Sequence, residues 1–459
     1  MLEKNLKQYA KYFKDYTELR LQENRVVDLT VVNGSLTSNM DKCMGGISAR
    51  AYKSGSWGFA SVPEYNDESI RYALQTATDN AELLDSLQKL ARPPLPVAPV
   101  TAHNEFKITR PRRTRKEIID FLMEIDSYIA TKHKRISSRS LRFLEYAIEK
   151  SMIASDSRES YSLIPGSSMY LDISSEKDGK SVTLEAILGT CGWMEDVFVK
   201  SQDIFPVIDE RCETLLKKLE GVFPDAGMKD CILSEELASM LAHEAIGHVL
   251  ESDSVAGGSI ANGMLQEPVA SPLITMVDFA NAYKGVNCPA PMYVDDEGTP
   301  AEDAPLIENG ILKSYLHNKE SALQYGVRPM GNARAADFSD EPIVRMRNTA
   351  ILPGKDTLEE MIASVDDGYY LVSTGNGFAD LNSEFVFGVL AGYEIKKGKL
   401  GRPMKDASMS GNGLAVLKSV SMVSNSMRWF GGWFCGKRQS IPVGAGGPVI
   451  KCKLHVGGR

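Results

Sequence analysis

Two of the six histidines of the chain lie in one short segment, HEAIGH, together with a carboxylate. His243 and His248 are five residues apart, and Glu244 directly follows the first of them. Imidazole nitrogens bind zinc, and a nearby carboxylate can act as a general base in hydrolysis. In the common H-E-x-x-H pattern, however, the histidines are four residues apart and share a helix face. The segment therefore suggests a metal site with an unusual spacing.

This spacing leaves two interpretations open. On an ideal α-helix, residues five apart are rotated by roughly 140°, so one imidazole would be packed and the other solvated. In the second interpretation the backbone departs from α geometry, and both imidazoles lie on one side. Gly247, directly before His248, favours this interpretation, because glycine allows a helix to end, loosen or bulge. A π-bulge would bring positions i and i+5 onto one face. We predict a π-bulge, a break or a tight helix end within residues 244–248.

A catalytic zinc site normally has three protein ligands, so a third ligand is needed. Glu251 and Asp253 are local carboxylates that could bind the metal or accept hydrogen bonds from the histidines, or could simply lie at a solvated helix end. His317 and His455 are more distant candidates. The strongest non-local candidate is Cys435, in WFGGWFCGKRQSIPVGAGGP, although a lone cysteine is usually a small buried hydrophobic residue.

The elements around this segment predict how it is positioned. Ser234, followed by Glu235 and Glu236, is typical of a helix N-terminus, because a serine cap and early carboxylates satisfy the free N–H groups. We expect one helix to carry LASMLAHEAIGHVLES. Short apolar runs separated by glycines follow it, and they predict mainly antiparallel strands.

The whole chain is predicted to be an α+β protein with two domains. Residues 1–225 form an N-terminal α+β domain, and we expect residues 1–22 to form an amphipathic helix. We expect residues 226–459 to form a C-terminal domain of mostly antiparallel β-structure, which carries one long helix with the possible metal site. A chain of 459 residues is longer than a single hydrophobic core usually supports, in agreement with this division.

Composition narrows the functional class. The net charge of −8 argues against a general basic surface for nucleic acid, so we expect no direct nucleic-acid binding. No apolar run of membrane-spanning length and no secretory signal occur, which predicts a protein without a membrane segment. The seven cysteines include no C-x-x-C pair, as is typical of a reducing cytoplasm. We predict a cytoplasmic protein.

Segments over nearly the whole chain resemble the TldD/PmbA family, also called "modulator of DNA gyrase". HEAIGHVLESD (243–253) is similar to its HEAxGHxxExD segment, and FCGKRQSIPVGAGGP (434–448) to its CGKxGQxVPVGxGxP pattern. GISARAYKSGSWGFAS (46–61), DDEGTPAEDAPLIENGILKSYLHNKESA (295–322) and RMRNTAILPG (345–354) resemble the N-terminal motif, the central motif and the R-M-T-N segment. These motifs occur in the family's order, which is more specific than any one of them.

The resemblance implies a zinc metallopeptidase with residues 226–459 as its metallopeptidase domain, and it places His243, His248 and Cys435 on the metal positions. It places Glu244 on the catalytic glutamate, which acts as general base for a water activated by Zn2+. It also implies that unfolded polypeptides, short peptides or leader peptides are the substrates. The resemblance further implies that the partner is a metal-free TldE/PmbA-like subunit in a heterodimer, or a second copy in a homodimer.

The alternative function is a catalytically inactive partner or regulatory subunit of the same kind of complex. Glu244 argues against it, because a purely structural zinc site does not need a general base. Arg347 and Gly447 stand where the family usually has threonine and glutamine. These departures concern substrate choice and the pairing partner, since the metal residues match.

Overall fold

A large antiparallel sheet forms the first part of the protein, in a computed structural model that describes residues 5–96 and 100–458. Its strands are β1 (Tyr16–Val32), β2 (Ser35–Lys53), β3 (Ser56–Val62), β4 (Thr101–Glu105), β5 (Ser138–Ala154), β6 (Glu159–Lys177) and β7 (Lys180–Cys191). They are ordered β3-β2-β1-β5-β6-β4, and β7 also pairs with β6. Only the short β4 runs parallel to its neighbour.

Helices cover this sheet. They are α1 (Asp67–Gln88), α2 (Arg115–Lys132), α3 (Met194–Val197) and α4 (Phe205–Leu219), with 3-10 segments at Leu6–Tyr12 and Ser201–Asp203. The predicted helix over residues 1–22 is wrong, apart from residues 1–4, which lie outside the described residues. β1 already begins at Tyr16, because Leu19 and Leu21 alternate with polar residues and enter a buried core with strand periodicity.

The second part of the protein is dominated by strands. They are β8 (Gly227–Leu233), β9 (Met276–Phe279), β10 (Ala282–Tyr283), β11 (Val286–Asn287), β12 (Ala304–Glu308), β13 (Ile311–Leu312), β14 (Ala333–Arg334), β15 (Ile343–Val344), β16 (Asn348–Ile351), β17 (Asp367–Ala379), β18 (Glu384–Lys396), β19 (Lys399–Pro403), β20 (Ala407–Asn412), β21 (Met422–Cys435) and β22 (Ile441–Gly457). Successive pairings join β8, β17, β18, β20 and β22, and β22 pairs again with β8, so these five strands close into a ring.

The helices of this part are short. They are α5 (Glu235–Met240), a π-helix (Leu241–Gly247), a 3-10 turn (His248–Leu250), α6 (Ser252–Ala256), α7 (Lys319–Tyr325), α8 (Leu358–Ala363) and α9 (Gly413–Lys418). The predicted α+β class with a β-rich second part is confirmed. Among residues 5–96 and 100–458, no helix combines the length and apolar character needed to cross a membrane.

The helical stretch from Glu235 to Leu250 is anchored in the largest apolar core. Leu237, Leu241 and Ile246 are fully buried there, together with inward-facing residues of the strand ring. Each such side chain contributes roughly 1.5–3 kcal/mol relative to an exposed one. The stretch is therefore a rigid support for the side chains that it presents on its other face.

Candidate metal centre

The helical stretch changes its geometry where the two histidines lie. α5 continues into the π-helix Leu241–Gly247, and His248 begins the 3-10 turn. The wider π turn brings residues five apart onto one side, so the rings of His243 and His248 have centroids 5.2 Å apart at 80°. The prediction of a π-bulge, with both imidazoles on one side, is confirmed.

Gly247 is needed here for a different reason from the one expected. Its φ of −59° and ψ of −46° are ordinary helical values that any residue can adopt. A Cβ on Gly247, however, would lie 2.0 Å from the sulfur of Met346, a side chain that is itself buried. The glycine therefore permits a close approach of the neighbouring chain, and the expectation that it supplies backbone freedom is wrong.

Cys435 joins the two histidines from the end of β21. Its Sγ lies 3.2 Å from Nε2 of His248. One ligand atom from each of Cys435, His243 and His248 can be chosen so that all three lie within 4.8 Å of one another. The structure thus brings together residues that are almost 190 positions apart in the chain.

The surroundings of His243 test whether this group suits a metal ion. Its ring is 2 % exposed, and neither Nδ1 nor Nε2 has a hydrogen-bond partner among the described residues. A buried polar group without a partner costs free energy, which a metal ion on one nitrogen would offset. Two imidazoles and one thiolate are also the donor types that zinc prefers, so the residues present fit zinc.

The charges around Cys435 favour its thiolate, which is the form that binds a metal ion. Burial raises the pKa of the Cys435 thiol, but His243 and His248 more than offset it and lower the pKa to about 3. Burial lowers the pKa of His248, whereas Glu251 and Cys435 raise it to about 10. Without metal, a thiolate therefore faces an imidazolium, and binding a cation would release the imidazolium proton.

The two local carboxylates have different roles. Oε2 of Glu251 lies 2.8 Å from Nδ1 of His248, so Glu251 supports the ring on the side away from Cys435. Asp253 instead pairs with Lys437, whose Nζ lies 2.6 Å from its Oδ1. Lys437 also lies 3.0 Å from Glu251.

Glu244 lies beside both imidazoles. Its carboxylate oxygens are 4.0 Å from Nε2 of His243 and 3.7 Å from Nε2 of His248. Glu244 and His243 both line a cavity of about 340 Å³. The cavity also has walls from both parts of the protein, including Tyr170, Leu188, Thr374 and Trp433.

The two distant histidines are not part of this group. His317 is buried, with Nδ1 3.1 Å from Oγ of Ser321 and its ring beside Tyr315 and Tyr325. His455 lies on β22 and is exposed to solvent. Of the non-local candidates for a third ligand, Cys435 is therefore the one that lies beside both His243 and His248.

Some residues of the site were missed in the sequence. Arg345 donates hydrogen bonds to the carbonyl oxygens of Cys435, Lys437 and Gln439. Met346 donates its N–H to Oε1 of Glu251 at 3.3 Å. Lys437 was also overlooked. All three lie within the RMRN and FCGKR segments. Their place in these family-like motifs was the only feature of the sequence that could have identified them as part of the site.

Comparison with known proteins decides the family. The family model described as "PmbA/TldA metallopeptidase C-terminal domain" matches residues 226–458, which is just over half of the chain. The model for domain 1 of the same metallopeptidases matches residues 17–81. The chain belongs to the PmbA/TldA metallopeptidase family. The resemblance drawn from the motifs is confirmed.

Relatives cover nearly the full length. A "Zinc metalloprotease TldD homolog" of Saccharolobus solfataricus is 29% identical over 419 residues, covering 90% of each chain. A "Metalloprotease TldD homolog" of Haemophilus influenzae is 29% identical over 464 residues, covering 97% of this chain and 93% of the relative. The crystal structure of TldE from Thermococcus kodakarensis has a TM-score of 0.76 at 18% identity and covers 99% of both chains, so it shares the fold.

The two departures from the family motifs have local explanations. Arg347 is fully buried, and its Nε lies 2.9 Å from Oδ2 of the equally buried Asp278. Gly447 lies where β22 approaches α5, and a Cβ there would be 3.1 Å from the backbone nitrogen of Ser239. Both positions affect packing around the site, and neither is a candidate ligand.

Proposed function

We propose that this protein is a zinc-dependent peptidase in which His243, His248 and Cys435 hold the metal and Glu244 is the general base. The observation that carries the proposal is the convergence of the three ligand atoms within 4.8 Å, at a buried imidazole that has no hydrogen-bond partner among residues 5–96 and 100–458. The names of relatives that are called metalloproteases support the same activity.

Zinc bound there would polarise the scissile carbonyl and lower the pKa of an attacking water. The chain supplies the proton transfers. Glu244 is next to His243 in sequence and reaches the space between both imidazoles, with its carboxylate open to the cavity. From there it can accept a proton from the attacking water and later donate it to the leaving amine.

The cavity suits an extended peptide. Strand pairing is interrupted in two of its walls, between Thr374 and Gly377 of β17 and between Phe430 and Trp433 of β21. Backbone groups at such interruptions can bind the backbone of a peptide with little dependence on its sequence. We therefore assign unfolded polypeptides, short peptides or leader peptides as the substrate class.

The assembly and the domain division belong to the same proposal. A TldE/PmbA-like subunit in a heterodimer, or a second copy in a homodimer, completes the enzyme, and a TldE with the same fold supports such pairing. Residues 1–225 and 226–459 act as two domains, since each main sheet draws its strands from one of these ranges. The cytoplasm is the proposed location.

One experiment separates the peptidase from the inactive-partner alternative. The purified chain, alone and mixed with a TldE-type subunit, is assayed for zinc content and for cleavage of an unfolded reporter polypeptide, with Glu244→Gln as the matched control. A peptidase gives about one zinc per chain and cleavage that Glu244→Gln abolishes. Zinc without cleavage in either arrangement, or no zinc at all, would contradict the peptidase and support the inactive partner.

A further inference from the structure

Arg345 is a fully buried arginine that lies next to the ligand loop, residues 436–440 between Cys435 and β22. Its guanidinium donates to the carbonyl oxygens of Cys435 at 2.7 Å, Lys437 at 3.0 Å and Gln439 at 2.7 Å. The three acceptors belong to every second residue, so the backbone from Cys435 to Gln439 curves around the Arg345 guanidinium. The ligand loop contains no helix or strand of its own, and Arg345 therefore determines much of its path.

The next residue contacts the other ligand element. Met346 donates its N–H to Glu251, the carboxylate that supports His248, and its sulfur occupies the space left by Gly247. Two consecutive residues thus contact the cysteine loop on one side and the histidine helix on the other. The separation between Sγ of Cys435 and Nε2 of His248 depends on both contacts.

We infer that Arg345 is a positioning residue for the metal centre, which holds Cys435 at the distance at which its thiolate and the two imidazoles share one metal ion. The inference rests on the proposed zinc site and adds a residue to it. Arg345 itself does not touch the reacting groups. The planar guanidinium donates several hydrogen bonds to carbonyl oxygens at once. Lysine keeps the charge but cannot reproduce these hydrogen bonds.

The chain offers a matched control. Arg347, two residues further on, is also fully buried and donates to several backbone carbonyls, those of Asp278, Met330, Gly331 and Glu302. None of these carbonyls belongs to the ligand loop. Arg345→Lys and Arg347→Lys therefore remove comparable buried hydrogen bonds, but only the first loosens the cysteine.

The test measures zinc dissociation constants by competition with a chelator, and the thiolate-to-cobalt charge-transfer band after loading with cobalt(II). Loss of a group that orients a metal ligand typically weakens metal binding by about 10–100-fold. We expect a loss of this size and a weaker band for Arg345→Lys. For Arg347→Lys we expect less than about a threefold change, with a similar fall in thermal stability of the metal-free protein.

A double variant locates the effect. In a Cys435→Ser background, Arg345→Lys should add little further loss of zinc affinity, because the residue that it positions is gone. Wild-type affinity in folded Arg345→Lys, equal losses in both arginine variants, or an undiminished extra loss in the Cys435→Ser background would each overturn the inference. A wild-type chain that binds no zinc would instead refute the proposed function.

A second variant keeps the inference testable if Arg345→Lys does not fold. The side chain of Gln439 also holds the ligand loop, by accepting from the N–H of Ala336 at 3.1 Å and donating to the carbonyl of Glu341 at 2.7 Å. Gln439→Ala loosens this loop without disturbing a buried charge. A smaller loss of zinc affinity is expected, and wild-type affinity would then decide against loop positioning.

Discussion

Nδ1 of His248 and Oε2 of Glu251 lie 2.8 Å apart, and the Glu251 side chain is fully buried. Burial alone would raise the pKa of Glu251, but His248 and Lys437 lower it to about 2. The carboxylate is thus ionised and fixes the imidazole so that Nε2 points at Cys435. In metal sites such a partner orients the ligand and increases its basicity.

Glu251→Gln should weaken zinc binding by about 10–100-fold, because a neutral amide supports the His248 ring less well. Asp253→Asn is the control, since Asp253 contacts Lys437 rather than a ligand histidine. Chelator competition on both folded variants measures the difference. Equal affinities in the two variants would show that Glu251 does not act through His248.

Glu244→Gln should keep zinc and lose peptide hydrolysis. The amide has nearly the same size and lies beside the same imidazoles, but it cannot accept the proton of water. General-base catalysis typically contributes about 100-fold or more, so the cleavage rate should fall by at least that factor. Zinc content and cleavage are measured on the same preparation. Activity within a few-fold of wild type would exclude Glu244 as the base.

Gly247→Ala should destabilise the site, because its Cβ would overlap the sulfur of Met346. Overpacking of this kind typically costs about 1–3 kcal/mol, and Gly247→Val should cost more. Gly436→Ala is a control beside the same centre, because a Cβ there meets no atom within 4 Å. Denaturant unfolding and zinc affinity are compared for the variants. Equal effects at the two glycines would contradict the close-contact explanation.

His317 predicts a pH effect away from the metal. Burial lowers its pKa from 6.5 to about 4. The folded protein therefore binds this proton more weakly than the unfolded chain does. Above pH 6.5, protonation of His317 does not reduce the free energy of unfolding. As the pH falls from 6.5 towards 4, the free energy of unfolding decreases by up to about 1.4 kcal/mol per pH unit.

His317→Gln removes this titration. The free energy of unfolding of the metal-free protein is measured at pH 7 and pH 5 for the variant and for wild type. The variant should lose less stability between these two values. The same pH dependence in both proteins would show that His317 is not a buried neutral histidine.

The two histidines could be recognised as candidate ligands from the sequence because they lie close together in it. The five-residue spacing of His243 and His248 required a departure from α geometry, and the π-helix supplies it. The serine cap was equally local: Ser234 Oγ accepts from the N–H of Leu237 at 3.3 Å. Cys435 was one of several candidates until the family motifs were considered, since spacing does not predict contacts between distant residues.

Long-range contacts explain what sequence reasoning missed. Arg345 reaches carbonyls 90 to 94 residues later, and Met346 fills the space above Gly247 from about 100 residues away. The pattern of apolar and polar residues in a sequence does not predict which carbonyl groups a buried arginine will contact. At the N-terminus, charges and bulky residues from Tyr16 onwards fit both helical and alternating patterns, and pairing with β2 and β5 decided for the strand.

X-ray absorption at the zinc edge tests the central claim most directly, because it identifies the atoms that bind the metal. The zinc-loaded protein should show one sulfur at about 2.3 Å and nitrogen or oxygen neighbours at about 2.0–2.1 Å. The sulfur contribution should disappear in Cys435→Ser. A first shell without sulfur in the wild-type protein, or an unchanged spectrum in Cys435→Ser, would contradict a zinc centre formed by His243, His248 and Cys435.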